Sequence, residues 1–286
     1  MTRILCFLLC IVCLVHPVFA DESAVSRASG NQVNFHLHHG FLIVVPVQIG
    51  SQSNLKFILD TGTTRTIVDK RVARKLGIHG VPDTVFRMHG AVDLQTAIFP
   101  DVQFGAIRTT NIRLLIADLF SLTEFADGVD GVLGLDVFWG SKISVDYNSK
   151  RVLIDSVSAE IDDLAQPRDI VCVTTTANVH GTPIRLLVDT GMPGILLYGD
   201  RVRERVATLP RGRWQVTLIG HAMFATHLAI DRMDVGTEQI RNIDALVVSS
   251  SPPGFPRNVD GILGTDSLKA RRLIFDFSHK SMTWQH

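Results

Sequence analysis

The strongest constraint on how this chain folds is that it says nearly everything twice. Phe57-Ile-Leu-Asp-Thr-Gly62 returns as Leu186-Leu-Val-Asp-Thr-Gly191, which puts Asp60 and Asp189 129 positions apart (189 − 60). Asp130-Gly-Val-Leu-Gly-Leu-Asp136 returns as Asp260-Gly-Ile-Leu-Gly-Thr-Asp266, an offset of 130. Ile143-Ser-Val-Asp-Tyr147 matches Leu273-Ile-Phe-Asp-Phe277 at the same offset, Gly90 matches Gly220 at 130, and Gly105 matches Gly236 at 131. A register this steady across separate landmarks marks a tandem duplication of a domain-sized unit. The chain is therefore expected to form two similar lobes, 33–157 and 168–286, joined through the polar, proline-containing stretch 158–168.

Each unit reads mainly as strand. Val33, Phe35 and Leu37 alternate with polar neighbours, and apolar runs follow at 42–49, 55–59, 101–104 and 112–116. In the second unit the matching runs are 170–175, 184–188, 214–219 and 245–248. One short amphipathic helix follows each Asp-Thr-Gly. Asp69 is the expected cap of the first, with Val72 and Leu76 on one face and Gly77 ending it; Asp200 is the expected cap of the second, with Val202 and Val206. Arg71, Arg74, Lys75, Arg201, Arg203 and Arg205 read as solvated helix faces. The fold class is all-β.

Of the 286 residues, 46% are hydrophobic, enough for sizeable cores. Lys plus Arg and Asp plus Glu both number 28, so there is no basic field for nucleic acid or anionic lipid. At the N-terminus Arg3 precedes the apolar run 4–15, and Ala20 precedes Asp21-Glu22, the pattern of a secretory signal peptide over 1–20. Export to the periplasm or the extracellular space is expected, with cleavage near Ala20 and no stable membrane insertion. Residues 21–31 read as a disordered mature N-terminus, with a short propeptide as the alternative. Three of the four cysteines, Cys6, Cys10 and Cys13, fall in the signal, which leaves Cys172 with no internal disulfide partner.

The chemistry centres on Asp60 and Asp189, each at the end of an apolar strand. A carboxylate there is costly to desolvate unless it is paired or protonated. An Asx turn would account for one Asp-Thr-Gly; two of them, each with its downstream Asp-Gly-x-Leu-Gly-x-Asp, resemble the retropepsin-like aspartic protease fold in its bacterial single-chain form. The resemblance covers about residue 33 to the C-terminus. It implies two closed β-barrel or sandwich lobes, with an active site at their interface where Asp60 and Asp189 share one proton and activate a water against a peptide bond. Thr61 and Thr190 would reach across to the opposite loop, Gly62 and Gly191 would allow close approach, and Thr63 would support its carboxylate. Gly90 and Gly220 would lie in hairpins that close over the substrate. The resemblance implies no cofactor and no metal, a peptide or protein substrate, and a bilobal monomer.

Two departures from the family pattern stand out. Met192 occupies the position of Thr63, where a hydroxyl usually helps to hold the carboxylate, and there is no flap tyrosine, since the only tyrosines are Tyr147 and Tyr198. Asymmetric, slow or narrowly selective activity is the consequence to expect. His36, His38 and His39 raise metal binding as a rival reading, but no carboxylate or cysteine joins them at ligand spacing. The rival for the whole chain is a non-catalytic peptide-binding or scaffold protein that retains the fold.

Overall fold

The structure is a computed structural model and describes residues 4–7, 31–87, 90–119, 128–156, 161–162, 172–206, 210–218, 221–252 and 255–286. A short strand β1 (Ile4–Phe7) lies in parallel beside residues 215–218. The first lobe contains β2 (Gln32–Asn34), β3 (His36–His38), β4 (Leu42–Ile49), β5 (Gln52–Leu59), β6 (Ile67–Asp69), α1 (Lys70–Lys75), β7 (Val81–Arg87), β8 (Gly90–Phe104), β9 (Ile107–Ala117), β10 (Gly131–Leu133), α2 (Leu135–Phe138), β11 (Lys142–Asp146) and β12 (Arg151–Ser156). β13 (Ile161–Asp162) pairs with β9. The second lobe contains β14 (Thr174–Val179), β15 (Thr182–Asp189), β16 (Ile195–Tyr198), α3 (Gly199–Val202), β17 (Pro210–Leu218), β18 (His221–Val235), β19 (Glu238–Val248), β20 (Gly261–Gly264), β21 (Arg272–Asp276) and β22 (Ser281–Gln285).

In the first lobe the strands run β9-β6-β10-β5-β4-β8, and β8 pairs back with β9 to close a six-stranded barrel. The second lobe repeats this as β19-β16-β20-β15-β14-β18, closed by β18 with β19. Strand periodicity decides which side chains fill the barrels. Leu55, Phe57 and Leu59 of β5 and Ile184, Leu186 and Val188 of β15 point into one continuous core that runs through both lobes. Each such side chain stabilises the fold by roughly 1.5–3 kcal/mol when fully buried. The alternate residues, Ile58 and Leu187, face two smaller apolar clusters, one in each lobe. Asp60 and Asp189 continue that second face, two residues further on, which aims the carboxylates away from the main core.

A five-stranded sheet, β2-β12-β11-β21-β22, joins the lobes through antiparallel pairing of β11 with β21 from Lys142↔Asp276 to Asp146↔Arg272. Its flanks show the internal twofold directly. The Phe277 N–H donates to Ser141 O at 3.0 Å, and the Tyr147 N–H donates to Arg271 O at 2.9 Å. Phe138 of α2 stacks on Phe277 beneath this sheet, with centroids 5.4 Å apart.

Three local expectations change. β8 and β18 are each 15 residues long, whereas only residues 101–104 of β8 read as strand. Their outer parts pair with β7 and β17 and leave the barrels as hairpin arms, where Phe224 is 60% exposed. The expected strand 170–175 begins only at Thr174, and residues 170–171 lie outside the described residues. Asp200 does not cap the second helix. Tyr198 holds that position without a side-chain bond, and Asp200 sits inside the helix, accepting from the Ser251 N–H and hydroxyl at 2.8 and 2.9 Å. Asp69, by contrast, caps α1 by accepting from the Arg71 N–H at 2.8 Å.

Candidate active site

The two Asp-Thr-Gly loops meet at the lobe boundary. In each lobe a parallel pairing sets the loop: β10 lies beside β5, and β20 beside β15. The Asp60 N–H donates to Leu133 O at 3.0 Å, anchoring the strand end to the Leu-Gly segment. Gly134 and Gly264 follow those segments, where the loop backbone passes so close that a side chain would not fit. A Cβ would lie 2.7 Å from Arg65 C at Gly134 and 2.2 Å from Met192 O at Gly264.

The threonines bind reciprocally across the boundary. The Thr61 N–H donates to Thr190 Oγ1 at 3.0 Å, and the Thr190 N–H donates to Thr61 Oγ1 at 3.1 Å. Each hydroxyl in turn donates to the carbonyl before the other lobe's aspartate, Thr61 to Val188 O at 2.9 Å and Thr190 to Leu59 O at 2.7 Å. Both threonines are buried, so all four bonds are shielded from water. The glycines interlock in the same way. A Cβ on Gly62 would lie 2.4 Å from Asp189 Oδ2, and one on Gly191 would lie 2.7 Å from Asp60 Cγ. Only hydrogen at these positions lets the carboxylates approach each other.

The carboxylates themselves are held unequally. Asp60 Oδ1 accepts from the Gly62 N–H at 2.8 Å and the Thr63 N–H at 3.0 Å, and its Oδ2 accepts from the Thr63 hydroxyl at 2.9 Å. Asp189 Oδ1 accepts from the Gly191 N–H at 2.6 Å. Met192, in the place of Thr63, is buried in an apolar cluster with Leu187, Tyr198 and Val248. Burial raises both acids above the usual carboxylate range. The Thr63 hydroxyl and the Gly62 N–H pull Asp60 back down, whereas the negative charge of Asp60 pushes Asp189 further up.

A second pair of acids backs the loops. Asp136 is buried on α2 and accepts from the Thr66 N–H at 2.8 Å and the Thr66 hydroxyl at 2.6 Å; burial pushes it up to about 6. Asp266, which is less enclosed, accepts from the Gly194 N–H at 2.8 Å. Cys172 lies near both carboxylates. Burial, helped by their charge, pushes its thiol up to about 12, so it stays a neutral packing group.

Gly90 lies in the β7–β8 hairpin, beside its tip. It opens the return strand opposite Arg87, and residues 88–89 between them lie outside the described residues, as does Gly220. The arginines correct another expectation. Arg71 donates to Val129 O at 3.0 Å and Arg201 to Val259 O at 2.6 Å, so each ties its helix to the chain just before the Asp-Gly element. Arg201 also donates to the Ser251 hydroxyl and sits 5.8 Å over the Tyr198 ring. Their shared offset of 130 was the signal that these two are not plain surface residues. Among the described residues no group of three or more His, Cys, Asp or Glu side chains is placed to hold a metal.

A search of curated proteins found no match. Among solved structures, a retropepsin-like aspartic protease from Rickettsia conorii aligns with 18% identity and a TM-score of 0.32, covering 43% of this chain and 89% of that one. The family model described as aspartyl protease matches twice, at residues 45–137 and 175–267, each match containing one Asp-Thr-Gly and its Leu-Gly partner. With both matches together spanning more than half of its length, the chain belongs to the aspartyl protease family.

Proposed function

We propose that the protein is an aspartic endopeptidase whose catalytic pair is Asp60 and Asp189. The observation that carries this reading is the juxtaposition of two carboxylates, buried Asp60 and half-buried Asp189, one from each lobe, across interlocked glycines and reciprocally bonded threonines. Two acids at this separation cannot both ionise cheaply, so the pair retains one proton over acidic to near-neutral pH. One member takes a proton from an attacking water while the other hydrogen-bonds the scissile carbonyl, and the roles exchange as the amine leaves. Thr61 and Thr190 hold the carboxyl planes together, and Thr63 orients Asp60. In this reading the hairpins β7–β8 and β17–β18 close over the bound peptide. The N-terminal apolar run and Ala20 support a place of action outside the cytoplasm, on an extended peptide or protein substrate, with the single chain supplying both acids.

The test is cleavage of a denatured protein mixture by purified mature protein from acidic to neutral pH. Asp60→Asn and Asp189→Asn should each lower the rate by about 10²-fold or more while leaving the circular dichroism unchanged. Full activity in either variant would end the shared-dyad reading. Peptide binding without cleavage at every pH would instead establish a binding scaffold.

A further inference from the structure

Thr63 and Met192 occupy the same position in the two copies but act differently on their aspartates. Thr63 gives Asp60 both a backbone N–H and a hydroxyl, so Asp60 holds three hydrogen bonds from its own loop. From its own loop Asp189 has the Gly191 bond, and the Gly62 N–H that already serves Asp60 also faces it. The Met192 side chain turns instead into the apolar cluster beneath the loop. Hydrogen bonds to a carboxylate favour its ionised form, so unequal donors must divide the proton unequally.

We propose that Met192 breaks the symmetry of the pair, so that in the resting enzyme Asp60 carries the charge and Asp189 carries the proton. This rests on the proposed protease reading and gives its chemistry a direction. As the water oxygen bonds to the scissile carbon, Asp60 takes the water proton and Asp189 passes its proton to the carbonyl oxygen, leaving a neutral diol. Asp60 then protonates the nitrogen as the carbon–nitrogen bond breaks, and a diol hydroxyl returns a proton to Asp189. Both aspartates end as they began. Thr63 acts as a positioning residue for the base.

The neighbouring groups do not compete for this role. Cys172, near both carboxylates, is kept neutral by burial, as is the Tyr198 phenol at the head of α3. Asp136, with Arg65 beside it, backs the first loop through Thr66, and Asp266 backs the second through Gly194. The electrostatics of the pair agree with the assignment, because the Asp60 charge raises Asp189 whereas its own donors lower Asp60.

The test exploits the two limbs of a pH–rate profile. The acid limb follows the first ionisation and the alkaline limb the second. Thr63→Val should raise the acid limb by about one pH unit and leave the alkaline limb in place. Met192→Thr should lower the alkaline limb by about as much and leave the acid limb in place. Thr63→Ser and Met192→Leu, which keep the hydroxyl and the apolar packing respectively, should leave both limbs unmoved. If the two responses exchange limbs, the proton rests on Asp60 and the proposal is overturned; if each variant moves both limbs together, the proton is evenly shared and the proposal is again overturned. Carboxyl carbon-13 titration of aspartate-labelled protein reads the same assignment without turnover: Asp189 should titrate at the higher pH, and Met192→Thr should bring the two signals together. A wild-type protein that cleaves nothing would end the protease reading and still leave this titration to decide where the proton lies.

Discussion

The two copies differ least where they touch each other and most where they touch only themselves. At the lobe boundary Thr61 and Thr190 make the same four bonds in mirror fashion, and Gly62 and Gly191 each pack on the other lobe's carboxylate. Away from the boundary the loops diverge: Thr63 becomes Met192, Thr66 becomes Ile195, and the helix-capping Asp69 becomes Tyr198. The physical reason lies in the geometry of the twofold. A contact across the axis belongs to both copies, so losing one partner orphans a buried donor or acceptor in each lobe. A contact within one lobe can be exchanged for a different local solution, as when Tyr198 packs under Phe255 and Arg201 where Asp69 accepts backbone hydrogen bonds.

The comparison can be broken most severely at the glycines. Gly62→Ala would place a methyl group 2.4 Å from Asp189 Oδ2, and Gly191→Ala would place one 2.7 Å from Asp60 Cγ. Both should abolish cleavage and lower stability by about 3 kcal/mol or more, Gly62→Ala the more severely, as thermal unfolding would report. Equal, mild effects would mean that the loops are not interlocked.

The backing acids give the next effect, and it depends on pH. Burial raises Asp136 from an ordinary carboxylate value to about 6, so the folded protein binds a proton there more tightly than the unfolded chain does. The stabilising contribution is therefore complete below about pH 4 and is lost as pH rises to about 6, a difference of roughly 3 kcal/mol. Asp136→Asn should flatten the stability profile across that window, measured by urea unfolding at a series of pH values. Asp266→Asn, at the less enclosed site, should change the slope less. A larger change at Asp266 would reverse the contrast between the lobes.

The threonine bridge should behave symmetrically. Thr61→Val and Thr190→Val each leave a buried N–H and a carbonyl of the other lobe without their partners, costing about 2 kcal/mol apiece. Their double mutant should cost less than the sum, because both substitutions dismantle one network. Additive costs would show that the two threonines act separately. The smallest effect is expected at the helix clamps. Arg71→Ala and Arg201→Ala should each cost about 1 kcal/mol, with Arg201 the larger because it also holds Ser251 and covers Tyr198.

Much of the site was legible because its chemistry needs short, rigid words. Asp-Thr-Gly and Leu-Gly recur where the backbone approaches too closely for side chains, and apolar runs at the right spacing identify the strands behind them. The hairpin arms were harder to read, since the outer parts of β8 and β18 leave the barrels and pair only with β7 and β17. Arg71 and Arg201 looked like surface residues because their targets, Val129 O and Val259 O, lie 58 positions away in each case.

The sequence alone determined the duplication and the all-β class and marked Asp60 and Asp189 as matched acids, because a repeat and an apolar strand ending in an acid are local patterns. The tertiary structure decided which groups hold each acid. Whether Met192 faces its aspartate or a neighbouring cluster depends on side chains brought together from β15, β16, β18, β19 and the segment before β20, and no single stretch of chain carries that information.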